Sequence, residues 1–184
     1  MTLKFFVICI LLSIKTMALS YEGSVTRTKT NVKFVDASLQ KTYSLNASTA
    51  LISSYINKLS DGDFLSVEGF RDEKQTVLTV SSVNYIGLNV LLGSWLGDDL
   101  YCYNFTSFTE FSVSYRGASK KCSPVGAPNY TYLINATSNS WVMLLAGDRG
   151  SYVGDLIINN SKDLQIQLYD SETGDILRTI HLRK

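Results

Sequence analysis

Apolar and polar residues alternate along most of the chain after residue 90, which is the pattern of strands with one buried face. Trp141, Met143 and Leu145, for example, share one face of a single strand. Short turns rich in Gly, Asp, Asn and Ser separate these segments, and no helical stripe interrupts them. The pattern predicts eight strands, at 91–96, 100–106, 110–115, 130–135, 141–146, 152–159, 164–169 and 176–182.

The first third of the chain has a different order of periodicities. Two-residue alternation predicts strands near 25–29, 32–37 and 42–45, and again at 64–70 and 76–83. Between the two groups, a helical stripe with an N-cap at Ser48 or Thr49 ends at an Asp-Gly-Asp turn. The apolar residues of this stripe are Leu51, Ile52, Tyr55, Ile56 and Leu59.

Three strands, a helix and two strands form the element order of an OB-fold. The segment 62–70, Gly-Asp-Phe-Leu-Ser-Val-Glu-Gly-Phe, is similar to the strand that follows the helix in small exported OB-fold domains. OB-folds often bind single-stranded nucleic acid through a basic groove with stacking aromatics. The basic residues of the early strands lack such aromatics, so we expect a solvated face and no nucleic-acid partner; they are Arg27, Lys29, Lys33 and Lys41.

Gly93-Ser94-Trp95 resembles the Gly-x-Trp motif of lipocalins, in which the Trp plugs one end of the barrel. The resemblance implies a basic side chain across the indole, for which Arg178 and Arg183 are the candidates. It also implies an interior that is either filled or holds one small ligand. The expected fold is therefore all-β, with an OB-fold-like domain at 21–88 and an eight-stranded antiparallel up-and-down barrel at 89–184.

Residues 1–20 have the pattern of a signal peptide, with Lys4, an apolar stretch and a cleavage site after Ser20. The apolar stretch is shorter than the roughly 20 residues that span a bilayer, so we expect no membrane span. Removal of Lys4 and Lys15 would reduce 17 basic residues to 15, against 16 acidic ones. A nearly neutral protein has no global field that attracts nucleic acid.

Cys102 and Cys122 would remain after cleavage, and an even count in an exported protein favours a disulfide. The bond would hold down the irregular segment 117–128; two reduced thiols are the alternative. Five N-x-[ST] sequons would be glycosylation sites in a eukaryotic secretory pathway and carry no meaning in a bacterial periplasm. They lie at Asn46, Asn104, Asn129, Asn135 and Asn159.

The residues offer little catalytic chemistry. His181 is the one histidine, and its alternating surroundings predict that it faces solvent. The carboxylate pair Asp98-Asp99 lies in a predicted turn, as do the clusters 61–63 and 170–175, where Asp normally bonds local backbone. We therefore expect no enzyme activity, no metal and no cofactor.

Five aromatic residues around the second barrel could line a ligand pocket or an interface, although core packing accounts for most residues of this type. They are Tyr101, Tyr103, Phe105, Tyr130 and Tyr132. The sequence favours an exported, non-catalytic binding protein of the periplasm, envelope or extracellular space, with a protein or envelope surface as its partner. The alternative is a carrier of one small apolar ligand.

Overall fold

The structure is a computed structural model that describes residues 18–29, 31–72, 74, 76–116, 121–122, 128–137, 140–148 and 150–184. Of the predicted signal sequence, only residues 18–20 are described, and most of the segment 117–128 also lies outside this set. The described residues form thirteen strands and one α-helix: β1 Leu19–Arg27, β2 Val32–Asp36, β3 Thr42–Ala47, α1 Ala50–Lys58, β4 Phe64–Arg71, β5 Val77–Gly87, β6 Gly93–Gly97, β7 Tyr101–Phe105, β8 Glu110–Tyr115, β9 Tyr130–Ala136, β10 Trp141–Gly147, β11 Gly150–Asn160, β12 Asp163–Tyr169 and β13 Ile176–Arg183.

The first five strands close into a small barrel. Strand β1 pairs with both β2 and β4, β2 pairs with β3, and β4 pairs with β5. The ring is completed by β3 and β5, which run parallel, as the crossover through α1 requires. The order of these elements along the chain, three strands, a helix and two strands, is the one that the sequence predicts. The interior of the barrel holds Phe34, Tyr43, Val67, Leu78 and Val80, all fully buried.

Helix α1 begins where the sequence predicts. The Thr49 side chain accepts a hydrogen bond from the backbone N–H of Ile52 at 3.2 Å, which satisfies one free donor of the first turn. Ile52 and Ile56 lie one turn apart on the buried face, while Leu51 is exposed. Among the described residues no helix is both long and apolar enough to cross a membrane.

The remaining eight strands form a closed antiparallel barrel in which each strand pairs with the next along the chain. The ring is closed by β13 and β6, where Leu182 pairs with Gly97 and Arg183 with Leu96. The predicted all-β fold with an eight-stranded up-and-down barrel is therefore confirmed.

Two predicted boundaries are wrong at the junction between the barrels. Strand β5 continues to Gly87 rather than ending near residue 83, and residues Asn89–Leu91 form a short 3-10 helix before β6 begins at Gly93. The extra residues of β5 form backbone pairs with two strands: the last residues pair with β4, and Ile86 pairs with Ile134 of β9. Alternation alone could not reveal this, since it does not show which partners a strand has.

The two barrels also meet at the buried carboxylate of Asp63, which is 1% exposed. One carboxylate oxygen accepts the backbone N–H of Asn89 at 2.8 Å, and the other accepts that of Ser60 at 2.7 Å. Burial raises the pKa of Asp63 above its usual value despite these two hydrogen bonds. The carboxylate thus ties the end of the helical segment to the linker that leads into β6.

Cys102 and Cys122 form a disulfide that bridges a sequence separation of 20 residues. Cys102 lies on β7 and is 1% exposed, and the Sγ atom of Cys122 is 3.7 Å from the backbone oxygen of Trp95. The predicted disulfide is confirmed. Such bonds persist in oxidising compartments, which is consistent with an extracellular or periplasmic location.

The raised pKa of Asp63 gives a pH dependence with a defined sign. The folded protein binds the proton of the Asp63 carboxyl more tightly than the unfolded chain does. The stabilisation that this proton gives to the fold is therefore present below about pH 4 and is lost as pH rises through the folded-state pKa. We expect the free energy of unfolding of the wild type, relative to Asp63→Asn, to fall as the pH rises above about 4. Urea titrations of both proteins measure this difference, in which the other titrating groups cancel. A difference that rises with pH would contradict it.

Candidate functional site: the open end of the larger barrel

One half of the larger barrel is filled around Trp95. The indole is fully buried, and its Nε1 donates a hydrogen bond to the backbone oxygen of Leu91 at 2.7 Å. Gly93, two residues earlier, has a φ of +104°, a backbone conformation that residues other than glycine rarely adopt. The Gly-x-Trp motif therefore combines a special backbone position with a side chain that fills the barrel.

Lys184 provides the cation over this indole, with Nζ 4.5 Å from the ring centroid. The same Nζ donates to the backbone oxygens of Leu92 at 2.8 Å and Val90 at 3.0 Å. Burial lowers the pKa of Lys184. Neither predicted arginine takes this place.

The strand register explains this correction. Arg183 pairs with Leu96, so the next residue of the chain reaches Trp95, whereas Arg178 lies six residues away. Six residues of strand span roughly 20 Å. Arg178 therefore lies near the opposite end of β13, where it forms an ion pair with Asp99 at 2.6 Å.

The other half of the barrel contains a cavity of about 430 Å³ that opens at one end, and we call this cavity the cup. Twelve of the described residues line it: Tyr101, Tyr103, Phe111, Val113, Tyr130, Leu145, Tyr152, Ile166, Leu168, Leu177, Arg178 and Ile180. Eleven of these side chains are uncharged, and most are aliphatic or aromatic. Both the volume and the lining are typical of a site for a small apolar molecule.

Inward-facing pairs between β12 and β13 show how the barrel passes from filled to open. Leu164 and Leu182 pair opposite each other and are fully buried below the cup. The next inward pair, Ile166 with Ile180, is nearly buried and forms part of the floor. Above it, Leu168 opposes Arg178 at the rim. The cup is thus the unfilled upper layer of the same barrel interior.

A polar group is built into this rim around the carboxylate of Asp99. One of its oxygens accepts the Tyr103 hydroxyl at 2.5 Å and an Arg178 guanidinium N–H at 2.6 Å. The other accepts the backbone N–H of Tyr101 at 3.2 Å. Burial, together with the hydrogen bond to Asp99, raises the pKa of Tyr103, so its hydroxyl stays protonated and keeps donating.

The five predicted aromatic residues divide into two groups. Tyr101, Tyr103 and Tyr130 line the cup, whereas Phe105 and Tyr132 are buried in the core at 2% and 1% exposure. Phe105 stacks on Phe111 at 5.0 Å and meets Tyr132 edge to face at 5.3 Å. The Tyr132 hydroxyl donates to the oxygen of Ser107 at 2.9 Å, and burial raises its pKa.

Several cup residues were missed by the sequence analysis, chiefly Tyr152, Leu168, Leu177 and Ile180. Alternation placed Leu168 on the same face as Ile166, so that face could have been followed from the core to the rim. Leu177 gave no such signal: a register shift in β13 lets both it and Arg178 line the cup, and bulges are not visible in a two-residue pattern.

The turn carboxylates and His181 serve local structure. Asp98 accepts the backbone N–H of His181 at 3.2 Å, and His181 is exposed, as the sequence predicts. Asp170 accepts the N–H groups of Glu172 and Thr173 at 2.8 and 2.9 Å. Within the described ranges no group of three or more His, Cys, Asp or Glu side chains is arranged to hold a metal ion.

Comparison with known proteins leaves the fold without a named family. No protein-family model matches the chain, and neither the curated proteins nor the solved structures include a significant match. The candidate site therefore has to be interpreted from its own geometry.

Lys184 should contribute measurable stability through its contact with Trp95. We expect Lys184→Met, which keeps an apolar stem but removes the charge and both hydrogen bonds, to lower the free energy of unfolding by about 1 kcal/mol. Arg183→Met is the matched control, since Arg183 is the exposed neighbouring cation, and it should change stability by less than about 0.5 kcal/mol. Equal effects in urea titrations of the two variants would argue against a specific contact.

Proposed function

We propose that this protein is an exported, non-catalytic binding protein whose larger barrel holds one small apolar ligand in the cup. The cup itself carries the proposal: an open cavity of about 430 Å³ with eleven uncharged lining residues and a closed floor. Eight-stranded barrels of this kind have room for one small ligand at most. Export is supported by the disulfide and by the signal-like pattern of residues 1–20.

The larger barrel is proposed to be related to the lipocalins, and the smaller barrel that precedes it is proposed to be an OB-fold domain. The first is supported by Trp95 at the closed end under the Lys184 cation, and the second by the closed order of the five N-terminal strands. Both relationships rest on topology, and the lipocalin relationship rests also on the Gly-x-Trp motif. No residue of the smaller barrel is among the described residues that line the cup.

A second candidate is docking to a protein or envelope surface, and one observation favours it. On the outer face of the larger barrel, Leu133, Leu144 and Val153 pair across β9, β10 and β11 and are all exposed. Exposed apolar residues in contact with one another are typical of interaction surfaces.

Leu144→Glu would reduce cosedimentation with envelopes of the source cell while leaving cup binding unchanged. Unaltered cosedimentation would argue against this candidate.

Narrowing the cup should weaken ligand binding. Leu168→Trp adds a large side chain at the half-buried wall, and we expect it to raise the Kd for the uncharged probe N-phenyl-1-naphthylamine by at least about tenfold. Fluorescence titration measures this change, because the probe brightens when it leaves water.

The matched control is Ile157→Trp, which places the same side chain on the outer face of β11, where Ile157 is exposed. This variant should bind the probe like the wild type. Circular dichroism and the Tm of both variants verify that the barrel is intact. Probe binding that is unaffected by Leu168→Trp would place the binding site elsewhere and reject the cup.

A further inference from the structure

Among the described residues that line the cup, Arg178 is the one that carries a charge, and its position restricts what the ligand is. Arg178 lies at the rim opposite Leu168, while the floor is formed by Phe111, Leu145, Ile166 and Ile180, each less than 9% exposed. One end of a bound molecule would therefore lie among apolar side chains, and the other end would lie beside a guanidinium.

Asp99 is not available to receive a positively charged ligand. Its side chain is 9% exposed, and it already accepts hydrogen bonds from the Tyr101 backbone, the Tyr103 hydroxyl and Arg178. A cationic ligand would have to displace these donors and would also meet the charge of Arg178. The carboxylate instead serves to hold the guanidinium in place.

Arg178 keeps donors to offer. Its side chain is 48% exposed, and among the described residues its hydrogen-bonding partner is Asp99 alone, through Nη2. A guanidinium carries five N–H groups in a planar fork that matches a carboxylate. The ion pair with Asp99 fixes the side chain in advance, so that little rotamer entropy is lost when the remaining donors bind an acceptor.

From this arrangement we infer that the ligand is an amphipathic molecule with one carboxylate head, held by Arg178 at the rim, and an apolar tail that reaches the floor of the cup. The inference rests on the proposed function and adds to it the chemical class of the ligand. Because Asp99 and Arg178 together are neutral, the preference for a carboxylate comes from directional hydrogen bonds and not from a net positive field.

Three probes of equal chain length separate the parts of this inference. Decanoate, decanol and decylamine are each titrated against the protein with bound N-phenyl-1-naphthylamine at about pH 7.5, where the acid is ionised and the amine protonated. For the wild type we expect decanoate to displace the probe at a concentration at least about tenfold lower than decylamine, with decanol between them.

Arg178→Met keeps an apolar wall of similar length and removes the donors. We expect it to weaken decanoate binding by about tenfold while the affinities for decanol and for the uncharged probe stay within about twofold. Arg183→Met, which removes an exposed charge outside the cup, is the control and should bind all three like the wild type. Unchanged probe affinity in Arg178→Met also shows that the cup is still folded.

Three results would overturn the inference, and they differ in what else they reject. If the wild type binds the uncharged probe but shows no preference for decanoate, or if Arg178→Met weakens all three molecules equally, the carboxylate assignment is wrong and the cup remains a binding site. If the wild type binds neither the probe nor any of the three molecules, the proposed function fails as well.

Discussion

The buried position of Trp95 determines what the larger barrel can do. An eight-stranded barrel is just wide enough for its own side chains to fill it. The indole occupies the lower half, where Leu91 satisfies its N–H and Lys184 lies over its face. No tryptophan is among the described residues that line the upper half, where Leu, Ile, Val, Tyr, Phe111 and Arg178 stand around the wall. The cavity therefore lies in the half of the barrel that Trp95 does not fill.

The sequence predicted the elements well, because alternation reports directly which face of a strand is buried. Eight strands after residue 90 and the Thr49 cap of α1 are found nearly where they were expected. The motif Gly93-Ser94-Trp95 likewise predicted a filled barrel end. These are local properties, and the information for them lies within a few residues of sequence.

The candidate site was harder to predict because it depends on register. Whether Arg178 or Lys184 reaches Trp95 is decided by the pairing of Arg183 with Leu96 across the last barrel seam. The use of both Leu177 and Arg178 at the rim depends on a shift within β13. Similarly, Tyr101 and Tyr132 have comparable sequence surroundings, yet one lies at the mouth and the other in the core. A pattern in one strand cannot report its offset against another.

Strand β5 has a consequence for both barrels. Its 11 residues close the smaller barrel by pairing with β3 and β4. Near its C-terminal end, Ile86 also pairs with Ile134 of β9 in the larger barrel. A strand shared in this way contributes backbone pairing to both barrels. A substitution that displaces Ile86 is therefore expected to disturb β9 of the larger barrel as well as β4 of the smaller one.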